Sequence, residues 1–218
     1  MRVREVFDKL AERYDRWYEK PFGRSIYELE LEAIRSLLQP FDRGLEVGVG
    51  TGRFASALGV QFGLDISLSE LVMARKRGVR VVLGDAHVMP FPDNAFDMEL
   101  VVVSICFFDD PRMVLEEVAR TLRSDGYVIL GLVLRESPWA RFYMDKGRKG
   151  HPFYSVARFY SFREIESMLS SAGFRIDGVA STLLEKPFED RPVRNRDVVL
   201  EYCPEAGFTV IRARPQSG

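Results

Sequence analysis

The sequence predicts an α/β fold built on a doubly wound, mostly parallel β-sheet. Short apolar runs alternate with longer amphipathic stretches, a pattern typical of strands connected by helices. A glycine-rich loop, GVGTG at 48–52, follows the first apolar run, where such sheets contact their ligands. The last two apolar runs flank a polar, proline-containing connection, which predicts an antiparallel pair of strands at one sheet edge.

The first half of the chain predicts two helices, then three strands with their connecting helices. The two helices are expected near residues 3–19 and 24–39, followed by the strand LEVGV. A helix from Arg53 leads to the strand VQFGLD, and another helix leads to VRVVLG. Ser67 and Glu70 have the spacing of a capping box at the start of that helix.

The second half predicts the remaining strands and an aromatic segment. The strand FDMELVVVS, a helix near 111–122 and the strand YVILGLVL follow in order. Residues 137–160 are predicted to be irregular, and Ser161 with Glu164 then caps a further helix. FRIDGVASTLL and FTVIRAR are the closing strands.

Composition favours a small-molecule partner over nucleic acid or a membrane. The 31 basic and 32 acidic side chains nearly cancel, so no overall charge attracts either polyanion. Two cysteines, Cys106 and Cys203, without CxxC spacing, predict neither a disulfide framework nor a metal site. The charged N-terminus and the short apolar runs predict a cytoplasmic protein that is neither secreted nor membrane-embedded.

The glycine-rich loop predicts close contact with a charged ligand. Gly48 and Gly50 let the backbone approach a ligand, and the following helix N-terminus favours a carboxylate or phosphate. Glu46 would repel a pyrophosphate but would suit a ligand that carries ammonium and sulfonium groups. A dinucleotide site stays open, because GTGRFA satisfies G-x-G-x-x-A, although Asp65 follows Gly50 by only 15 residues. An NAD(P)-dependent oxidoreductase is therefore the second hypothesis.

Two further acids end the next two strands. Asp65 can accept hydrogen bonds from both hydroxyls of a ribose, or it can cap the following helix. Asp85 can receive the exocyclic amine of a purine beside the backbone amide of Ala86, or it can be a turn aspartate. Together with Glu46, these acids at consecutive strand ends favour a nucleoside-containing ligand.

The sequences LEVGVGTGRFASAL, LDIS and GDAHVMPFPDNAFD resemble, in order and spacing, the motifs of class I S-adenosylmethionine-dependent methyltransferases. The resemblance is strongest to the small-molecule group that includes the ubiquinone and menaquinone C-methyltransferases. It implies a Rossmann-like, seven-stranded sheet with an antiparallel last strand, S-adenosyl-L-methionine as cofactor, and in-line methyl transfer to a small acceptor. The cofactor-binding residues that it implies are Glu46, Gly48, Gly50, Asp65, Ile66, Asp85 and Ala86.

The expected organisation is a single methyltransferase domain, 1–218. It comprises a helical cap at 1–40, a cofactor-binding core at 41–136, a lid insert at 137–160, and a C-terminal helix with closing strands at 161–218. FDKLAERYDRWY resembles the family's cap helix, which implies that Tyr14 closes over the cofactor.

An obvious general base is missing from the sequence. Many relatives carry histidines after the fourth strand, where this chain has Cys106 and Phe107. His151, in the lid insert, is the candidate base, with a solvated loop histidine as the alternative. With Tyr14 it makes up the candidate catalytic set. A binding module that has lost catalysis is the third hypothesis.

The lid insert combines aromatic and basic side chains. This mixture predicts a pocket for a planar or apolar acceptor with an anionic group, although the aromatics could equally pack the lid onto the sheet. Replacing Tyr154 or Arg158 by alanine is expected to impair methyl transfer while changing cofactor affinity little.

Overall fold

A computed structural model describes residues 3–189 and 191–216 and contains a seven-stranded sheet between two layers of helices. The helices are α1 (Val3–Trp17), α2 (Pro21–Leu37), α3 (Arg53–Leu58), α4 (Leu68–Lys76), α5 (Pro111–Thr121), α6 (Pro138–Arg148) and α7 (Phe162–Ser171). The strands are β1 (Gly44–Val47), β2 (Phe62–Asp65), β3 (Arg80–Leu83), β4 (Phe96–Val102), β5 (Leu122–Leu132), β6 (Phe174–Thr182) and β7 (Phe208–Pro215).

The strand order is β3-β2-β1-β4-β5-β7-β6. Strands β1 to β5 are parallel, whereas β7 lies antiparallel between β5 and β6. This arrangement confirms the predicted fold class, including the antiparallel closing pair. The order reverses between β1 and β4, so a crevice forms beyond their carboxyl ends, where ligands bind in such sheets.

Two hydrophobic cores lie on opposite faces of the sheet. Leu100 and Ile129 point into one core with α2, α3, α4 and α6, whereas Val101 and Val128 point into the other with α5 and α7. The alternation follows from the two-residue period of a strand. Because the central strands are covered on both faces, they are nearly continuous apolar runs.

The two predicted capping boxes have different outcomes. Ser161 and Glu164 form the complete reciprocal box at the start of α7. At α4, the Ser67 hydroxyl accepts from the Glu70 amide at 3.3 Å, but the Glu70 side chain does not return to the cap. The prediction of a full box at Ser67 is therefore wrong, and the buried Glu70 carboxyl lies elsewhere.

The first half of the aromatic segment is helical, which corrects the prediction of an irregular segment. Pro138 occupies the first turn of α6, and the Ser137 hydroxyl accepts from the Ala140 amide at 3.0 Å. A proline in the first turn is compatible with a helix, because the amide that it lacks would have no partner there. Proline at position 21 likewise starts α2 three residues before the expected position.

The four-segment division stays a prediction, and residues 1–2 and 217–218 at its ends lie outside the described residues. Across the described ranges, no helix is both long and apolar enough to cross a bilayer.

Candidate functional site

Two adjoining cavities open beyond the carboxyl ends of the parallel strands. The larger cavity has a volume of about 730 Å³ and is bounded by the ends of β1 to β4 and by α1. The smaller cavity, of about 240 Å³, lies between α1, α2, α6 and the loop that follows α6. Tyr14, Val103 and Phe107 line both cavities and form the wall between them.

The glycine loop after β1 forms one wall of the larger cavity. Gly48 and Gly50 have φ values of +73° and +52°, in the left-handed region that favours glycine. A Cβ atom on Gly48 would lie 2.5 Å from Cβ of Ser104, so any other residue would clash there. Gly48 and Gly50 both line the larger cavity, so the loop backbone can contact a ligand there.

Asp65 anchors this loop from the end of β2. Its Oδ2 accepts from the Gly50 amide and its Oδ1 from the Ser67 amide, both at 2.8 Å. Burial raises the pKa of Asp65, and these backbone amides oppose that change only in part. Each carboxylate oxygen has a further lone pair, and Asp65 lines the larger cavity, so it can also accept from a ligand.

The far end of the larger cavity is lined by Ile66, Asp85 and Ala86. Oδ1 of Asp85 accepts from the amide of His87 at 2.9 Å and contacts its Nδ1 at 2.6 Å. Nε2 of the same imidazole accepts from the Asp110 amide at 3.1 Å, so the Nδ1 carries the proton. Burial alone would raise the pKa of Asp85, but the hydrogen bonds from His87 outweigh it, so the pKa is lowered overall. Asp85 is therefore held as an ionised acceptor.

Glu46 lies behind the glycine loop and not on a cavity wall. It is 2% exposed, and its Oε2 has no hydrogen-bond partner within the described ranges. Burial raises its pKa well above the usual value, opposed by the Ala55 amide. Glu46 is not among the residues that line either cavity, and its direct contact with a ligand stays a prediction.

Glu70 supplies a carboxyl to the larger cavity that sequence reasoning missed. It is 2% exposed, and its Oε2 lies 3.7 Å from the position that a Cβ on Gly50 would occupy. Burial and the neighbouring Asp65 charge raise its pKa. The Ser67-x-x-Glu70 spacing is the only sequence signal at this position, and it indicates a helix cap.

A buried ion-pair network attaches α1 to the glycine loop. The Asp15 carboxylate, 4% exposed, accepts from Thr51 Oγ1 and Arg53 Nε at 2.7 Å and from Arg77 at 2.9 Å. Asp8 also accepts from the Ser67 hydroxyl at 2.8 Å. No sequence pattern indicated these contacts, because the partners lie far apart in the chain.

The wall between the cavities contains an aromatic hydroxyl and a strained backbone. The Tyr14 hydroxyl lies 3.0 Å from that of Tyr18, and its ring packs edge-on against Phe153 at 5.4 Å. Burial raises the Tyr14 pKa, so the phenol stays protonated. Val103 has φ +51°, a rare conformation for a β-branched residue and one that is concentrated at functional sites.

The smaller cavity is predominantly aromatic and contains His151. The His151 ring stacks on Tyr154 at 4.4 Å, and its buried Nδ1 has no hydrogen-bond partner in the described part of the chain. Burial, then Lys146 and Arg13, lower its pKa, which favours the neutral imidazole. Burial raises the pKa of Cys106 to about 12, which disfavours the nucleophilic thiolate.

Comparison with known proteins identifies the family. Residues 45–130 match the methyltransferase domain family. A solved structure from Thermotoga maritima, a SAM-dependent methyltransferase and possible histamine N-methyltransferase, superposes with a TM-score of 0.89 at 39% identity, covering 97% of this chain and 99% of its own. The chain belongs to the S-adenosylmethionine-dependent methyltransferase family. This confirms the resemblance noted in the sequence and its cofactor, and it does not favour the dinucleotide alternative.

Two further relatives extend the methyltransferase comparison. A demethylmenaquinone methyltransferase of Geobacillus kaustophilus is 29% identical over 237 residues, covering 98% of this chain and 91% of its own. An uncharacterized protein of Mycobacterium tuberculosis is 41% identical over 178 residues, which cover 81% of this chain. This match spans only 62% of the mycobacterial protein's length.

Proposed function

We propose that the chain transfers a methyl group from S-adenosylmethionine, held in the larger cavity, to a small-molecule acceptor in the smaller one. The observation that carries this proposal is that Tyr14, Val103 and Phe107 line both cavities, so the cavities meet at these residues. Two ligands in adjoining cavities can be aligned for in-line displacement. Methyl transfer by this route needs orientation and exclusion of water more than acid-base chemistry.

The larger cavity suits S-adenosylmethionine in size and in its polar groups. Its volume of about 730 Å³ lies within the usual range for cofactor sites. We assign Asp65 to the ribose, Asp85 and Ala86 to the adenine edge, and Ile66, which is 40% exposed, to an adenine face. When bound, the sulfonium supplies an electrophilic methyl group.

The methionine end is assigned to the glycine loop. A Cβ on Gly50 would have no neighbour closer than the Glu70 carboxyl, at 3.7 Å, so there is open space beside this glycine. The Glu70 Oε1 has no partner among the described residues, which suits the amino group of the cofactor. Glu46 acts from behind the loop, through its contact with the Ala55 backbone amide.

We assign Tyr14 and His151 as the catalytic candidates. The protonated Tyr14 hydroxyl cannot serve as a base, so its role is to close and orient the wall between the cavities. The neutral His151 imidazole in the smaller cavity can accept a proton from an acceptor that needs deprotonation. Acceptors that are already nucleophilic need no such step.

The partner and the location are also proposed. The near-zero net charge supports a small molecule over nucleic acid. The two cysteines are both free, which supports the reducing cytoplasm.

Equilibrium binding followed by a turnover screen tests the function. S-adenosylmethionine should bind and NAD(H) should not, when both are titrated by calorimetry. Release of S-adenosylhomocysteine is then measured across amines, phenols, thiols and carboxylates. Binding of NAD(H) alone would refute the proposal in favour of the oxidoreductase. Binding of S-adenosylmethionine without turnover on any acceptor would favour the non-catalytic module.

A further inference from the structure

Glu30 is a buried carboxyl in the wall of the smaller cavity. It lies on α2, is 5% exposed and lines the cavity, and its Oε2 has no hydrogen-bond partner anywhere in residues 3–189 and 191–216. Burial raises its pKa from 4.5 to about 8. A buried polar group is normally hydrogen-bonded, so Glu30 lacks a partner that a ligand could supply.

Glu99 shows what distinguishes Glu30 from an ordinary buried acid. Burial also raises the pKa of Glu99 to about 8, and its Oε2 is likewise without a partner among the described residues. However, Oε1 of Glu99 accepts from the Thr121 hydroxyl at 2.6 Å, and Glu99 lines neither cavity. Only Glu30 of this pair combines the missing partner with access to a ligand.

Four tyrosines share the smaller cavity with Glu30. Burial is the main cause of the raised pKa values of Tyr14, Tyr18, Tyr143 and Tyr154, and the charge of Glu30 adds to it in all four. Each of them also lines the smaller cavity. A carboxylate among aromatic faces is the combination that attracts an ammonium group, through an ion pair and through cation–π contacts.

The cationic side chains of the smaller cavity oppose this only weakly. Lys146 is paired with Glu189, and Arg13, Lys20 and Arg158 are exposed at the rim. Charges at an exposed rim are screened by water and salt, whereas a charge in the interior is screened much less. The interior of the cavity therefore presents a carboxyl, and this argues against the anionic acceptor that the sequence favoured.

We propose that Glu30 binds the ammonium group of the acceptor, so that the substrates are small amines. The proposal rests on the proposed function, since it names the acceptor of the same site. The ammonium transfers one proton to the Glu30 carboxylate and becomes a neutral amine. The nitrogen lone pair then forms the C–N bond as the C–S bond breaks, which leaves a methylated ammonium product and a neutral thioether. The Glu30 proton passes to water before the next cycle.

Matched probes test this assignment by binding. Phenethylamine, 2-phenylethanol and 3-phenylpropanoate, which differ mainly in the end group, are titrated by calorimetry into the protein saturated with S-adenosylhomocysteine. Wild type should bind the amine about tenfold or more tightly than the other two, because it alone forms a charge-assisted contact. Glu30→Gln should lose that preference, and Glu99→Gln should keep it.

Tighter binding of 3-phenylpropanoate than of phenethylamine would overturn the proposal, as would absence of amine binding to wild type or an unchanged preference in Glu30→Gln. Glu30→Asp, which retracts the carboxyl, should give an intermediate preference for the amine. It replaces the glutamine variant in this test if that variant does not fold. The same samples are titrated with S-adenosylmethionine. If the wild type does not bind it, the proposed function fails; if it binds while the amine preference is absent, only the assignment of Glu30 fails.

Discussion

Replacing Glu30 by glutamine should remove a pH-dependent part of the free energy of unfolding. Burial raises the pKa of Glu30 from 4.5 to about 8 in the folded protein, whereas in the unfolded chain it returns to the ordinary value. Between these pH values the folded protein holds a proton that the unfolded chain has released. The Glu30 contribution to stability is therefore fully present below about pH 4.5, falls as the pH rises, and is lost above about pH 8.

The magnitude follows from the two pKa values. A rise from 4.5 to about 8 corresponds to about 5 kcal/mol. Glutamine has nearly the same shape but does not ionise. Relative to wild type, Glu30→Gln should therefore gain about 5 kcal/mol in free energy of unfolding between pH 4.5 and 8.5.

Urea unfolding at a series of pH values measures this difference. Glu12→Gln, at an exposed position of α1, serves as the surface control and should follow wild type across the series. Glu99→Gln should repeat the Glu30 behaviour, since its carboxyl has a pKa of about 8 for the same reason. A difference between Glu30→Gln and wild type that stays constant from pH 4.5 to 8.5 would refute the reasoning.

Three further predictions concern the glycine loop and the cavity wall. Asp65→Ala should weaken S-adenosylmethionine binding about a hundredfold or more, because each charge-assisted hydrogen bond to ribose contributes roughly 1.5–3 kcal/mol. Equilibrium dialysis measures this, and Asp97→Ala, which also removes an acceptor of two backbone amides, should keep the affinity; equal losses would contradict the ribose assignment. Asp15→Asn should lower the free energy of unfolding in urea by about 3–5 kcal/mol, because it breaks buried ion pairs; unchanged stability would show that they contribute nothing. Tyr154→Ala should slow methyl transfer by about tenfold or more while changing cofactor affinity only a few-fold, and a parallel loss of cofactor binding would make Tyr154 structural.

The sheet was predictable from the sequence because its signals are local. Each strand is a short apolar run, and each strand end carries its own motif, so the order of elements and the Asp65 and Asp85 positions could be derived without tertiary information. The helix α6 was missed because its aromatic residues obscured the pattern that a proline at its start and a serine cap provide.

Contacts across the chain could not be predicted in the same way. Glu30 lies in a segment with an ordinary amphipathic pattern. Only the cavity that α2 lines together with α1 and α6 makes Glu30 a buried acid beside a binding site. Asp15 looks like one of many surface charges until Arg53 and Arg77 reach it from distant segments. Glu46 shows a different limit. Its strand was assigned correctly from the sequence, but that assignment did not specify which way its side chain points.

Helix α1 supplies side chains to both cavities, with Phe7 in the larger one, Trp17 in the smaller one and Tyr14 in both. An outward movement of this one helix would therefore open both cavities at once. Exchange of the spent cofactor and departure of the methylated product would then depend on the same movement. Because Asp15 holds α1 closed through ion pairs, we expect the rate of this movement to increase when this attachment is weakened, so the residue that stabilises the fold would also control access to both cavities.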